Sequence, residues 1–366
     1  MRSLANGAGW TVVAAQNAAR VARGRETDVA LARAILPEPA TLVREGKVRG
    51  IRTGILATVV LASVAGLAAA QPFPDGKPIE MTVMFGAGSA SDVTARQLAD
   101  GMAKVLGVPV RVVNRTGGGG ALGYVHVSQQ KPDGHAIVWN SNSISTTFHA
   151  GTLAFDYKAF ESVAQVTVEN PALAVRATSP WKTLKELVDH ARANPEKVRV
   201  GNSGTGSHTH IASVALFAAG SAKVVPVPFG TGQAVVNLLG DRIEVAVQFP
   251  QAVIPHVRNG DLRVLAVLGS KRDPSFPDVP TAREQGYTVA LDLWRGIAVP
   301  KGTPRPVIAI LQDAVQKTVE SPEFQAAGKN IGFTPAYLPA EAFDKVIAED
   351  DKRLADIMKE IGLKKN

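Results

Sequence analysis

The sequence predicts an α/β protein of two lobes, each a parallel-rich sheet flanked by helices, facing one another across a cleft. Three observations carry that expectation. Short β-rich runs alternate with helical stretches from Ile79 onward, the order that builds parallel sheets covered by helices. Gly-rich segments fall at the strand-to-helix junctions, where open α/β sheets hold their ligands. Charged residues make up 20% of the 366 and aromatics 5%, a globular balance rather than a disordered or fibrous one.

Taken in order, residues 79–85 read as a strand, 93–106 as a helix, 110–114 as a strand, 121–130 as a helix and 136–140 as a strand. After an irregular stretch, a strand over 172–177 leads to a helix at 184–193, a strand at 198–201 and a helix at 209–219. Strands at 224–227, 245–249 and 262–268 then alternate with helices at 233–239 and 252–259. Helices over 304–320, 322–329 and 340–361 close the chain, the first two opened by prolines at positions that favour initiation. Four Gly-rich loops punctuate this order: FGAGSASD (85–92), NRTGGGGALG (114–123), GNSGTGSH (201–208) and PFGTGQ (228–233). Shared between two sheets, they would line the cleft.

Composition removes several classes of function. Residues 1–70 hold nine Arg/Lys against four Asp/Glu, so five of the eight net positive charges lie there and no dense basic stripe follows. Nucleic acid is therefore not an expected partner. The chain has no cysteine, which excludes disulfides, thiolate catalysis and cysteine-ligated metal.

Residues 54–70, GILATVVLASVAGLAAA, follow Arg44, Lys47, Arg49 and Arg52 and end in Ala68, Ala69 and Ala70. A basic region, a short apolar core and a small-residue exit describe a secretory signal peptide cleaved after Ala70. The run is shorter than the ~20 residues that a spanning helix needs. Because Arg44 stands far from Met1, translation is expected to begin nearer Val43 or Val48, with residues 1–53 an extension plus signal n-region.

The loops offer backbone amides and helix N-termini to an anion. None has the lysine of a mononucleotide phosphate loop, and Gly86-Ala-Gly88-Ser-Ala-Ser91 only approaches a dinucleotide fingerprint. Ser207 stands where a helix N-cap is wanted, and its surroundings are not a nucleophile elbow; an exported serine hydrolase acting through Ser207 is the competing reading. His208 and His210 are two apart, a poor spacing for metal on a helix, and no acidic residue in the segment completes a site. Asp92 and Arg96, four apart, pair along the start of a helix. No cofactor and no metal are expected.

With these loops in hand, the chain from about Lys77 onward resembles the extracytoplasmic solute receptors of tripartite tricarboxylate transporters, the Bug or TctC type. The family's PFxxGGxxDxxAR stands here as Met84-Phe85-Gly86-Ala87-Gly88-Ser89-Ala90-Ser91-Asp92-Val93-Thr94-Ala95-Arg96. Its ENRxGAGGxxG is similar to residues 113–123, its PDGYT to Pro132, Asp133 and Gly134, and its YGSxGxGSxxHLA to residues 200–212. The segments 227–244, 277–281 and 294–304 resemble three further motifs.

The resemblance implies a Venus-flytrap periplasmic binding protein that closes on a small organic acid. That ligand, a di- or tricarboxylate, an aromatic acid or an amino acid, would be presented to membrane permease subunits without chemistry. A sensor subunit using the same closure differs only in its partner. The chain is expected to be a periplasmic monomer, with lobe 1 over 71–172, lobe 2 over 173–296 and a return to lobe 1 over 297–366. Carried over by position, the ligand contacts would be Phe85, Gly88, Ser89, Asn142, Ser143, Ser203, Gly204, Thr205, Ser207, His210 and Gln248. Ser89, Gly230 and Gln248 depart from the family's pattern; Gln248 replaces an acidic residue, which suits a ligand without an ammonium group. Arg295 would either meet a second ligand carboxylate or stand as a solvated charge on the outer face of a strand, and the second reading is preferred.

Overall fold

A computed structural model describes residues 73–230 and 233–365, so the signal run at 54–70 lies outside the described residues. In chain order the elements are β1 (Ile79–Val83), α1 (Ala90–Leu106), β2 (Val110–Asn114), α2 (Ala121–Ser128), β3 (Ala136–Ser141), α3 (Ser143–His149) and β4 (Phe160–Glu169). Then come β5 (Ala172–Arg176), α4 (Leu184–Ala193), β6 (Arg199–Asn202), α5 (His208–Ala219), β7 (Val225–Pro228) and α6 (Gln233–Leu239). The chain continues through β8 (Val245–Gln248), α7 (Pro250–Arg258), β9 (Leu262–Val267) and β10 (Leu293–Pro300). It ends with α8 (Arg305–Val319), α9 (Pro322–Ile331), β11 (Thr334–Pro339) and α10 (Ala340–Glu360).

Local chemistry sets many of these boundaries. Ser89 caps α1 by accepting the amide of Asp92, and Gly107 ends it in the left-handed conformation that a side chain disfavours. Thr183 and Glu186 form a reciprocal capping box at α4. Ser207 caps α5 through the amide of His210.

Two sheets result, ordered β11-β4-β10-β3-β1-β2 and β7-β6-β8-β5-β9. Strands joined by helical crossovers within one sheet run parallel: β1 with β2 and β3, and β6 with β7 and β8. Strands that enter from the other lobe run antiparallel: β10 against β3 and β4, and β5 against β8 and β9. The chain leaves the first sheet at Glu169, enters the second at Ala172, and rejoins the first at Leu293.

Each sheet buries its own apolar core. The first centres on Ile79, Met81, Leu98, Trp139, Val163, Ile297 and Leu311, and the second on Leu173, Val200, Leu216 and Val247. Helix α10 belongs to both lobes. Phe343 and Ile347 near its start pack with Tyr124, Phe160 and Trp294, while Leu354 further along joins the second core with Ile357 against it. No helix among the described residues is long and apolar enough to cross a membrane.

The stretch read as irregular between 141 and 171 contains α3 and the ten-residue β4. Its polar residues hid the strand: Gln165, Thr167 and Glu169 are all buried there, each with a partner inside the protein. Strand β11 was likewise not expected.

Candidate functional site

In the first lobe the loop after β1 is tied down by one buried carboxylate. Asp92 accepts the amide of Gly88 (2.9 Å) and the Asn114 side-chain amide (2.9 Å), and pairs with Arg96. Burial pushes its carboxyl up, but Arg96, Gly88 and Asn114 together outweigh burial and hold it below its ordinary value. Asn114 also donates to the Phe85 carbonyl at 2.8 Å, so both ends of the loop are fixed.

In the second lobe the loop between β6 and α5 is braced internally. Gly204 donates to the Asn202 side-chain oxygen (3.0 Å), Ser203 donates its amide to the Thr209 hydroxyl (2.9 Å), and Gly206 donates to His210 Nδ1 (3.2 Å). Burial holds the His210 imidazole below its ordinary value, which leaves it neutral and able to accept that bond.

A cavity lies where these loops meet, with Phe85, Ser89, Ser143 and Leu293 on one side and Ser203, Ser207, His208 and Gln248 on the other. Its volume is about 40 Å³. The first residues of α1, α5 and α7 wall it: Ala90 and Ser91, His208 and Thr209, and Ala252 beside the capping position Phe249. Three helix N-termini thus bring their positive dipole ends to one small space.

Among the described walls the one formal charge is Arg295, and here the structure corrects the sequence reading. Arg295 is 2% exposed, not a solvated outer-face charge. Strand β10 lies inside its sheet, with Arg295 opposite Ser141 on β3 and Thr167 on β4. Its guanidinium grips Glu169 with both Nε (2.9 Å) and Nη2 (3.3 Å) and lies 5.1 Å from the centre of the Phe249 ring. The Thr167 hydroxyl donates to the same carboxylate at 3.1 Å. The pair is neutral as a unit, so Arg295 contributes donors and direction more than net charge.

Of the residues expected at the ligand, Phe85, Gly88, Ser89, Ser143, Ser203, Ser207 and Gln248 line this cavity. Gly204 and Thr205 line an adjoining space of about 350 Å³ with the Gly117–Gly120 loop, and Phe85 and Ser203 face both. Asn142 lines neither; it is wholly buried and donates to the Asp292 carbonyl at 3.1 Å. His210 also lies behind the wall, as the brace described above. Sequence reasoning missed Ser91, Thr209, Phe249 and Leu293. Position relative to the caps could have found the first three, since each lies at the cap or in the first turn of a helix that opens onto the cleft.

Residues 94–363 match the family described as "Tripartite tricarboxylate transporter family receptor". The chain belongs to that family. Among its relatives, Protein BugT of Bordetella pertussis is 31% identical over 322 residues, covering 85% of this chain and 98% of that protein. A UPF0065 protein in the gbd 5′ region of Cupriavidus necator is 30% identical over 319 residues, covering 86% and 97%. The solved periplasmic binding protein BugD is 29% identical with a TM-score of 0.74, covering 79% of this chain and 99% of its own. MatC from Rhodopseudomonas palustris, solved with bound malate, is 27% identical with a TM-score of 0.71, covering 76% and 98%.

The TctC-type receptor is therefore a solute-binding protein and not an enzyme, and the surroundings of Ser207 agree. Its Oγ accepts the His210 amide and meets the Thr209 hydroxyl at 3.2 Å. His210 Nδ1 is taken by Gly206, and His208 Nε2 by the Leu291 carbonyl at 3.0 Å. Neither imidazole is hydrogen-bonded to the serine hydroxyl, which caps α5, and with the family shown the hydrolase reading falls.

Proposed function

We propose that this receptor works in the periplasm, where it captures a small organic carboxylate and delivers it to the membrane permease subunits of a tripartite transporter. The observation that carries the reading is the meeting of three helix N-termini over a cavity whose described walls offer no unpaired carboxylate. Such a site stabilises an anion. It disfavours an ammonium group, since Gln248 stands in the wall as a neutral amide accepting from Ser203 (3.2 Å) and Glu169 is occupied by Arg295. A plain di- or tricarboxylate or an aromatic acid suits it better than an amino acid. The malate held by MatC supports the same ligand class.

Because the cavity is walled from both lobes, entry would require them to open and capture would require them to close. The ligand drives closure only by binding the closed form more strongly. Export would follow cleavage after Ala70, and the mature chain would act as a monomer.

The test is a thermal-shift screen of residues 71–366 against small carboxylates, amino acids and aromatic acids, with calorimetry on the hits. A ligand at a hundredfold excess over Kd stabilises by about 2.7 kcal/mol. At about 2–4 °C per kcal/mol that raises Tm by roughly 5–10 °C. A shift with an acid that is recovered intact supports the reading. A shift with amino acids alone, or consumption of the acid, refutes it.

A further inference from the structure

Two buried polar atoms in the cavity walls lack partners, one from each lobe. Ser91, in the first turn of α1, has an unpaired Oγ, and His208, the first residue of α5, has an unpaired Nδ1. Both residues line the cavity and are 3% and 2% exposed. Leaving such a group unsatisfied costs about 1–3 kcal/mol, so each marks a place where a partner belongs.

The chemistry of His208 restricts that partner. Its Nε2 lies 3.0 Å from the Leu291 carbonyl, which can only accept, so Nε2 carries the proton. Burial favours the neutral imidazole, whose remaining nitrogen is then a lone-pair acceptor. The ring stacks on Phe249 at 6.3 Å between centroids, which with the Leu291 bond restrains it from turning toward another donor. A ligand carboxylate has nothing to donate to Nδ1. An ammonium could donate, but it would sit among three helix N-termini and beside the Arg295 guanidinium. A hydroxyl has neither difficulty. It can donate to the free nitrogen of His208.

We propose that His208 is a specificity-determining residue, accepting a ligand hydroxyl at Nδ1 so that the receptor prefers a hydroxycarboxylate to the same acid without the hydroxyl. The inference rests on the carboxylate-receptor reading above.

Calorimetry on matched pairs tests it: malate with succinate, citrate with tricarballylate, and mandelate with phenylacetate. The wild-type chain should bind the hydroxylated member of its preferred pair roughly three- to tenfold more tightly, the range of one net hydrogen bond. In His208→Gln the amide reaches toward Leu291 but leaves no acceptor at the Nδ1 position, so the preference should vanish. In His208→Asn the amide oxygen stands near the place of Nδ1, so the preference should persist even if affinity falls. Wild-type binding that ignores the hydroxyl overturns the proposal and leaves the receptor reading intact. A preference that survives in His208→Gln, or is lost equally in both variants, overturns the role of His208. If the folded wild type binds no acid of any pair, the carboxylate reading fails and the proposal fails with it.

Discussion

Removing Arg295 should harm ligand capture far more than removing Arg295 and Glu169 together. Both side chains are buried and each is the other's charge partner. Arg295→Ala leaves the Glu169 carboxyl buried and unpaired beside the proposed anion site, and wherever it stays charged it opposes the ligand. A ligand carboxylate within about 8 Å of it would meet roughly 2 kcal/mol of repulsion at an effective dielectric of about 20, a loss exceeding tenfold in affinity. The double variant Arg295→Ala/Glu169→Ala removes that charge and should recover most of the loss. Stability should follow the same pattern. Stripping one partner from a buried pair costs about 3–5 kcal/mol, whereas removing both costs less than the two singles combined. Calorimetry with the best acid from the screen reads the first effect, and urea unfolding of the single and double variants reads the second. If the two variants bind alike, or the single losses simply add in the double, the pair does not act as a neutral unit and the account of the site's electrostatics is wrong.

Three further outcomes follow from the loops and helices. Ser207→Ala should lose about 1 kcal/mol in denaturant unfolding through its cap; a loss below a few tenths would contradict the capping role. A Cβ on Gly119, in the first lobe, would stand 2.5 Å from the Thr205 carbonyl of the second, so Gly119→Ala should weaken acid binding by holding the lobes apart. Gly107→Ala has a similar positive φ but open space, so it should share the backbone cost of about 1–2 kcal/mol without losing affinity; equal losses of affinity would sink the closure argument. Burial holds the imidazoles of His208 and His210 below the ordinary 6.5, so the unfolded chain binds more protons below that pH. Stability is then full above pH 6.5 and falls as pH drops through it, by at most about 1.4 kcal/mol per unit for each ring. His210→Gln should flatten the slope between about pH 6.5 and 5.5, and an unchanged slope would count against a neutral buried His210.

The βα alternation was legible because crossover helices carry their own punctuation. Ser89, Thr183 and Ser207 announce helix starts, and Gly107 an end, by local backbone chemistry that needs no tertiary context. Strand β4 was hidden because Gln165 and Glu169 are polar residues made tolerable by distant partners, the Ala336 carbonyl and Arg295 126 residues beyond Glu169, while Thr167 donates to Glu169. Arg295 was misread for the same reason. Its burial depends on Glu169, and nothing between positions 169 and 295 signals that they meet. The glycine-rich loops were legible as the segments that line the cleft. The division between residues that face the cavity and residues that brace it, such as Asn142 and His210, depends on hydrogen bonds to Asp292 and Gly206 that no spacing reveals.

The segment between the lobes supplies the remaining step. Leu291 accepts from His208 of the second lobe, and the next residue, Asp292, accepts from Asn142 of the first through its carbonyl. The Asp292 carboxylate also accepts the amide of Ser270 at 2.7 Å. The crossing point is thus hydrogen-bonded to both lobes one residue before β10 begins, and β10 carries Arg295 into the cavity wall. The Glu169–Ala172 crossing and helix α10, packed on both cores, form further links. In the proposed closure, rotation about these connections would carry the helix N-termini of the second lobe toward or away from that of α1, because α1 stands on one sheet and α5 and α7 on the other. An anion held between them gains attraction from both sides only when the lobes meet. That gives the closed form the higher affinity which ligand-driven closure requires.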